Sequence, residues 1–109
     1  MSEQPKNEET LFIFKELETN PNTTQRDLSI RLNISLGKTN YLLRELIVRG
    51  FVKVKNFTHN PGKLRKINYF LTQKGLEEKL RLLQHFLLVK EEEFNKLKQE
   101  LERSLNGKV

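Results

Sequence analysis

Two apolar helical stripes separated by a short, sharp break constrain this chain more than any other feature. They lie in TQRDLSIRLNISLGKTNYLLREL, residues 24–46. Leu28, Ile30 and Leu32 are the apolar residues of the first helix, and Leu42, Leu43, Leu46 and Ile47 form the buried stripe of the second, at spacings of three and four. Thr24 precedes the first stripe with Asp27 three residues on, the arrangement of a reciprocal capping box. Ser35 stands at the N-cap of the second helix, and Gly50 follows its end. Between them, Asn33 tolerates the left-handed backbone that a tight turn demands, and Ile34 plugs the turn. Ser29 is small where the two helices must cross. Apolar anchors on both helices, a small crossing residue and a sharp turn together make a helix-turn-helix.

The flanking segments complete a domain around it. Asn7 is a candidate N-cap, with Glu8 and Glu9 in the first turn where the helix dipole favours carboxylates. That helix runs to about Glu18, with Leu11, Phe14 and Leu17 on one face and Phe12 and Ile13 beside them. Asn20-Pro21-Asn22 stops it, because proline removes a donor and restricts the residue before it. Phe51 to Phe57 alternates as a strand, residues 58–62 read as a turn, and Ile67 to Leu71 returns. Thr72 then caps a helix that can continue to about Leu105, roughly 50 Å at 1.5 Å per residue. The expected fold is mainly α with a small β-hairpin wing: a winged helix-turn-helix followed by a long C-terminal dimerisation helix. The divisions expected are a disordered tail over 1–6, the winged domain over 7–72, the long helix over 73–105 and a tail over 106–109.

Charge narrows the function. The net charge of +6 is concentrated: residues 21–70 carry ten Lys and Arg against Asp27 and Glu45, a net of +8, flanked by −3 before and +1 after. A concentrated basic block on folded structure is the footprint of a polyanion binder. Cysteine is absent, which excludes disulfides, thiolate catalysis and zinc-finger chemistry. The polar, acidic N-terminus does not read as a targeting peptide, and no apolar run reaches the roughly 18 residues of a membrane span. A cytoplasmic protein is expected. His59 and His85 lack ligand-spaced companions, Glu91-Glu92-Glu93 reads as a solvated helix face, and no phosphate loop or nucleophile elbow occurs. The sequence predicts neither an enzyme nor a bound metal or cofactor.

The candidate partner is double-stranded DNA. Reading the second helix of the motif from its cap, Ser35, Leu36, Gly37, Lys38, Asn40, Tyr41 and Arg44 are left off the core face, near the end that a recognition helix presents to the major groove. Lys and Arg suit guanine, Asn suits adenine, leucine can touch a thymine methyl, and Gly37 allows close backbone approach. Lys53 and Lys55 precede the turn; Lys63, Arg65 and Lys66 follow it. A basic hairpin of this kind can lie along a minor groove or phosphate ridge, and Lys63, Arg65 and Lys66 are the DNA-contact candidates there. A rival reading, a winged-helix module that docks on another protein, has no need of the +8.

The runs SLGKTNYLLRELIVRGFVKVKNF, YFLTQKG and FLLVKEEEFNKL resemble the MarR-family winged-helix regulators, most closely their short subgroup associated with exopolysaccharide gene clusters. The resemblance extends from Thr10 to Glu102, and SLGKTNY together with LTQKG is its most specific part. It implies a dimeric DNA-binding regulator of polysaccharide genes and leaves open whether a small-molecule effector exists.

The long helix has its own pattern. Leu80, Leu83, Leu87, Phe94, Leu97 and Leu101 form a heptad seam broken by Lys90 and ending at Ser104. A second stripe, Leu82, Phe86 and Val89, makes the middle apolar on two sides. One stripe can pack on the helix's own domain and leave the other for a second copy, so Leu80, Leu83, Phe86, Leu87, Phe94, Leu97 and Leu101 are the candidate homodimer interface. A parallel pair would set Glu93 against Lys98 and is slightly favoured. An antiparallel pair would bring Glu93 towards Glu100 but let Glu91 meet Lys98. A two-fold dimer selects an inverted-repeat operator.

Overall fold

A computed structural model of the chain describes residues 7–57 and 66–107. Its elements are α1 (Asn7–Thr19), α2 (Gln25–Leu32), α3 (Leu36–Val48), β1 (Val52–Phe57), β2 (Lys66–Leu71) and α4 (Gln73–Leu105). This is the expected winged-helix order with a long final helix. The expected tail over 1–6 and the hairpin turn over 58–62 lie outside the described residues.

The helix-turn-helix forms by the local devices read from its sequence. Thr24 Oγ1 accepts from the Asp27 amide at 3.1 Å, and Asp27 Oδ2 accepts from the Thr24 amide at 3.3 Å. Asn33 takes the left-handed conformation, φ 56° and ψ 47°, ending α2. The Ile34 amide then donates to the Ser29 carbonyl at 3.1 Å, and the Ile34 side chain packs against the core. Ser29 is buried at the crossing, its hydroxyl donating to the Arg26 carbonyl at 2.7 Å. Ile30 points away and is 70% exposed, because a helix of only eight residues between two neighbours has room for one buried stripe.

Every element sends a side chain into one core: Ile13, Phe14 and Leu17 from α1, Leu28 from α2, Leu42, Leu43 and Leu46 from α3, Val52, Tyr69 and Leu82. The buried face of α1 differs from the expected one. It is centred on Thr10, Ile13, Phe14 and Leu17, while Leu11 is only half-buried. The helix packs on α2, β2 and α4 at once, so its contact arc is wider than one amphipathic stripe and is rotated towards Ile13. Phe51 lies just before β1 and meets Phe14 edge to face, ring centroids 5.9 Å apart. The antiparallel hairpin pairs Val52 with Leu71 and Val54 with Tyr69. That register turns Val52 and Tyr69 into the core.

The TQKG part of LTQKG is a joint between α4 and the end of α3. Thr72 caps α4 by accepting from the Gly75 amide at 3.0 Å. Its hydroxyl also donates to the Gly50 carbonyl at 2.6 Å, and its amide donates to the Phe51 carbonyl at 3.0 Å. Lys74 Nζ donates to the Arg49 carbonyl at 2.9 Å and lies 5.2 Å from the centre of the Phe51 ring. Gly75 is needed for this approach, since a Cβ there would stand 2.2 Å from the Phe51 carbonyl oxygen.

Beyond the joint, α4 touches its own domain through the second stripe. Leu82 is buried, and Phe86 and Val89 are half-buried. Phe86 faces Leu11, Phe12 and Lys15 of α1 across an open groove. A residue one position before Leu87 is turned by about 100° from the seam, towards α1. From Lys90 to Gly107 every residue is exposed, so the C-terminal half of α4 overhangs the domain.

Replacing Gly75 by alanine tests the joint. The clash with backbone leaves no side chain to move aside, so Gly75→Ala is expected to cost about 1–3 kcal/mol or more. Thermal denaturation followed by circular dichroism would register it as a clear drop in Tm; an unchanged Tm would contradict the close approach.

Candidate nucleic-acid interface

The exposed face of α3 is defined by what the core takes from the opposite side. Thr39, Leu42, Leu43 and Leu46 are buried, so at about 100° per residue Gly37, Tyr41, Arg44 and Val48 leave the helix most nearly opposite to them. Leu36 and Asn40 flank them and are also exposed. Ser35 caps the helix by accepting from the Lys38 amide at 3.0 Å, and its carbonyl accepts from the Thr39 hydroxyl at 2.9 Å. The first turn of α3 is therefore held from behind while its front stays open.

Two of the expected contact residues also make contacts within the domain. Tyr41 is half-buried and packs against the core. Lys38 is exposed, but its ammonium lies 3.4 Å from the Glu9 carboxylate of α1. That places it on the flank of the exposed face. Arg44 is free: among the described residues neither it nor Arg26 nor Lys53 forms an ion pair. Lys63 and Arg65 lie outside the described residues, and Lys66 enters as the first residue of β2, paired with Phe57.

Gly37 stands out by having no internal reason to be glycine. The glycines with positive φ among the described residues are Gly50 and Gly107, and a Cβ built at Gly37 meets nothing within 4 Å. A glycine inside a helix costs about 0.5–1 kcal/mol relative to alanine. No contact within the domain requires the absent side chain.

Gln25 is a positioning residue that periodicity did not reveal. Its side-chain Nε2 donates to the Leu36 carbonyl at 3.2 Å, and its Oε1 accepts from the Tyr69 hydroxyl at 3.4 Å. One amide thus bridges the first turn of α3 to the wing strand β2. Burial raises the Tyr69 phenol above its ordinary pKa. No local signal identifies Gln25, because its partners are eleven and forty-four residues away. On the outer face of the wing, Lys53 and Lys55 are exposed, and Lys55 Nζ lies 5.5 Å from the centre of the Phe70 ring.

An exposed helical face with a free arginine, an unneeded glycine and a basic hairpin beside it defines the class: a winged helix-turn-helix domain. Comparison with known proteins agrees. Residues 10–53 match the family described as winged helix-turn-helix DNA-binding. The backbone resembles that of the proposed transcriptional regulator TA0346 from Thermoplasma acidophilum, with a TM-score of 0.67 and 23% identity over 83% of this chain and 90% of that one. It also resembles MepR of S. aureus in a complex with DNA, at TM-score 0.62 and 20% identity over 96% and 79% of the two chains. A third likeness is to the MarR family transcription regulator SP03579, at TM-score 0.59 and 22% identity, covering 93% of this chain and 64% of that one. At these identities the likeness establishes the fold. A search among curated proteins finds no match. No helix among the described residues is long and apolar enough to cross a membrane.

If Gly37 serves an approaching partner, stability and binding should part company. Gly37→Ala is expected to raise stability by about 0.5–1 kcal/mol while weakening binding to DNA. Thermal melts beside a DNA titration check both; unchanged DNA affinity would remove the argument from this glycine.

Proposed function

We propose that this chain is a cytoplasmic, sequence-specific double-stranded DNA-binding transcription regulator of the MarR type that acts as a homodimer. The single observation that carries the reading is the face of α3 opposite the core, where Gly37 has no structural purpose and Arg44 no ion-pair partner among the described residues. A helix inserted in a major groove needs both: small residues where backbone meets DNA and free donors for base edges. The DNA complex of the similarly folded MepR and the net +8 of residues 21–70 support it. Exopolysaccharide genes are the proposed targets, on the likeness of SLGKTNY and LTQKG to that subgroup.

Within this reading the contacts divide by type. Leu36, Asn40 and Arg44 face bases, with Gly37 allowing the approach. Ser35 and Lys38 lie at the phosphate edge of the groove, and Tyr41 supports the helix. Lys63, Arg65 and Lys66 of the wing contact the backbone. The dimer forms through Leu80, Leu83, Leu87, Phe94, Leu97 and Leu101, which are 38–66% exposed, with the half-buried Phe86 beside them. A soluble helix rarely leaves such a continuous apolar strip uncovered.

Selection of bound sites from random duplex DNA tests the whole reading and should return an inverted repeat. On that operator, Asn40→Ala or Arg44→Ala should cost about 1–3 kcal/mol and relax preference at particular bases. Lys63→Ala or Arg65→Ala should weaken all sequences alike and lower the salt slope by about 1 each. Equal affinities for all four variants would refute the division. Leu83→Glu combined with Leu87→Glu should sediment as a monomer and bind the operator at least ~10-fold more weakly, through loss of the second half-site. A double variant that stays dimeric would remove α4 as the dimer element.

A further inference from the structure

The seam of α4 is bipartite. Leu80, Leu83 and Leu87 lie beside the domain, while Phe94, Leu97 and Leu101 lie on the overhang, and Lys90 separates the two groups. Between Leu87 and Phe94 the helix surface has an open hollow lined by Leu87, Lys90, Glu91 and Phe94, with Asn95 at its edge. The first four stand at positions i, i+3, i+4 and i+7, the spacing of the four-residue hole that receives one knob from a facing helix in a coiled coil. Lys90 is drawn aside towards Glu93, its Nζ 3.5 Å from the carboxylate, which leaves the hollow open.

Direction decides which knob fills it. In a parallel pair the knob is Lys90 of the second copy, so two ammonium groups would share one layer and enter apolar holes. Like charges at close range repel, and each would lose water to enter. In an antiparallel pair that sets Leu87 against Leu97, the knob is Phe94 of the second copy. The remaining layers are then Leu83 with Leu101 and Leu80 with Ser104. Each Lys90 faces an aromatic ring, which attracts a cation, instead of another lysine. The flanking charges pull the other way: Lys98 meets Glu93 in the parallel pair, whereas this antiparallel register brings Glu91 and Glu93 near their own copies. Those carboxylates stand in solvent beside both Lys90 ammoniums, where pairwise charge effects are small. The desolvated core layer outweighs them.

We propose that α4 pairs with a second copy of itself in the antiparallel direction, in the register that sets Leu87 against Leu97 and seats Phe94 in the hollow between Leu87 and Phe94 of the partner. The inference rests on the dimeric reading above and replaces the parallel pairing that the sequence slightly favoured. The overhang of each copy then covers the domain-side leucines of the other, which explains why α4 outruns its own domain. It also sets the spacing of the two domains. The Leu82 anchors fall about 30 Å apart along the helix axis at 1.5 Å per residue, close to the roughly 34–36 Å between successive major-groove faces of DNA. A parallel pair would hold these anchors only about 8–10 Å apart.

The chain has no cysteine, so single-cysteine variants report direction cleanly. Leu83→Cys and Leu101→Cys are each treated with a short bis-maleimide alone, and then as a co-expressed mixture. The antiparallel register separates each introduced thiol from the same position of the second copy by about 27 Å along the axis. Neither variant should cross-link alone, and the mixture should give a covalent heterodimer. Efficient cross-linking of either variant alone would overturn the antiparallel arrangement and leave the dimer standing. Sedimentation of the untreated wild-type protein runs alongside; a monomer at tens of micromolar would overturn both this proposal and the dimeric reading. A dimer by sedimentation with no cross-link in any mixture would overturn the register alone.

Discussion

Gly50 and Phe51 both give their carbonyl oxygens to Thr72, and the arrangement of the rest of the molecule depends on that junction. The end of α3, the residue before the wing and the first turn of α4 meet there. Each hydrogen bond contributes only about 0.5–1.5 kcal/mol net. Their geometric effect is larger, because they fix the angle at which α4 leaves the domain relative to the exposed face of α3. Lys74 adds a third carbonyl, that of Arg49, and Gly75 lets the two backbones approach to a distance no side chain would permit. A helix anchored in this way can carry a partner well beyond its own domain without losing orientation.

The acidic residues of α1 perform a second, electrostatic organisation. Glu9 meets Lys38 of α3, Glu16 meets Arg31 of α2 and Glu18 meets Lys79 of α4. Exposed pairs of this kind contribute about 0–1 kcal/mol each, so their main consequence is where positive charge remains. The cations on the flanks are taken up by α1, while Arg26, Arg44 and Lys53 stay available. The net charge of the middle segment therefore overstates the charge at its sides and is most effective on the face opposite the core. Gln25 complements this by tying the first turn of α3 to the strand β2 with one amide.

Much of the fold was legible because its devices are local. The capping box at Thr24, the cap at Ser35, the left-handed Asn33 and the cap at Thr72 all act within about one helical turn, and a residue's type suffices to suggest them. The face of α3 was legible for the same reason, since leucines at helical spacing define what lies opposite. The burial of Ile13, which is complete, and of Tyr41 and Phe86, which is partial, was not legible by the same logic. For each, the neighbouring elements, and not the helix period, decide whether it is covered.

The sequence by itself determined where helices and strands begin and end, which face of each is apolar, and that the basic charge concentrates between residues 21 and 70. Those properties follow from backbone conformation and spacing, which short segments carry within themselves. Only the tertiary structure decided that Gln25 bridges α3 to β2, that Lys38 belongs to Glu9, that Gly75 is a contact glycine while Gly37 is free of internal contact, and that the second stripe of α4 faces its own domain. These depend on groups at least eleven residues apart, and no local rule reports which distant group a folded chain will bring alongside.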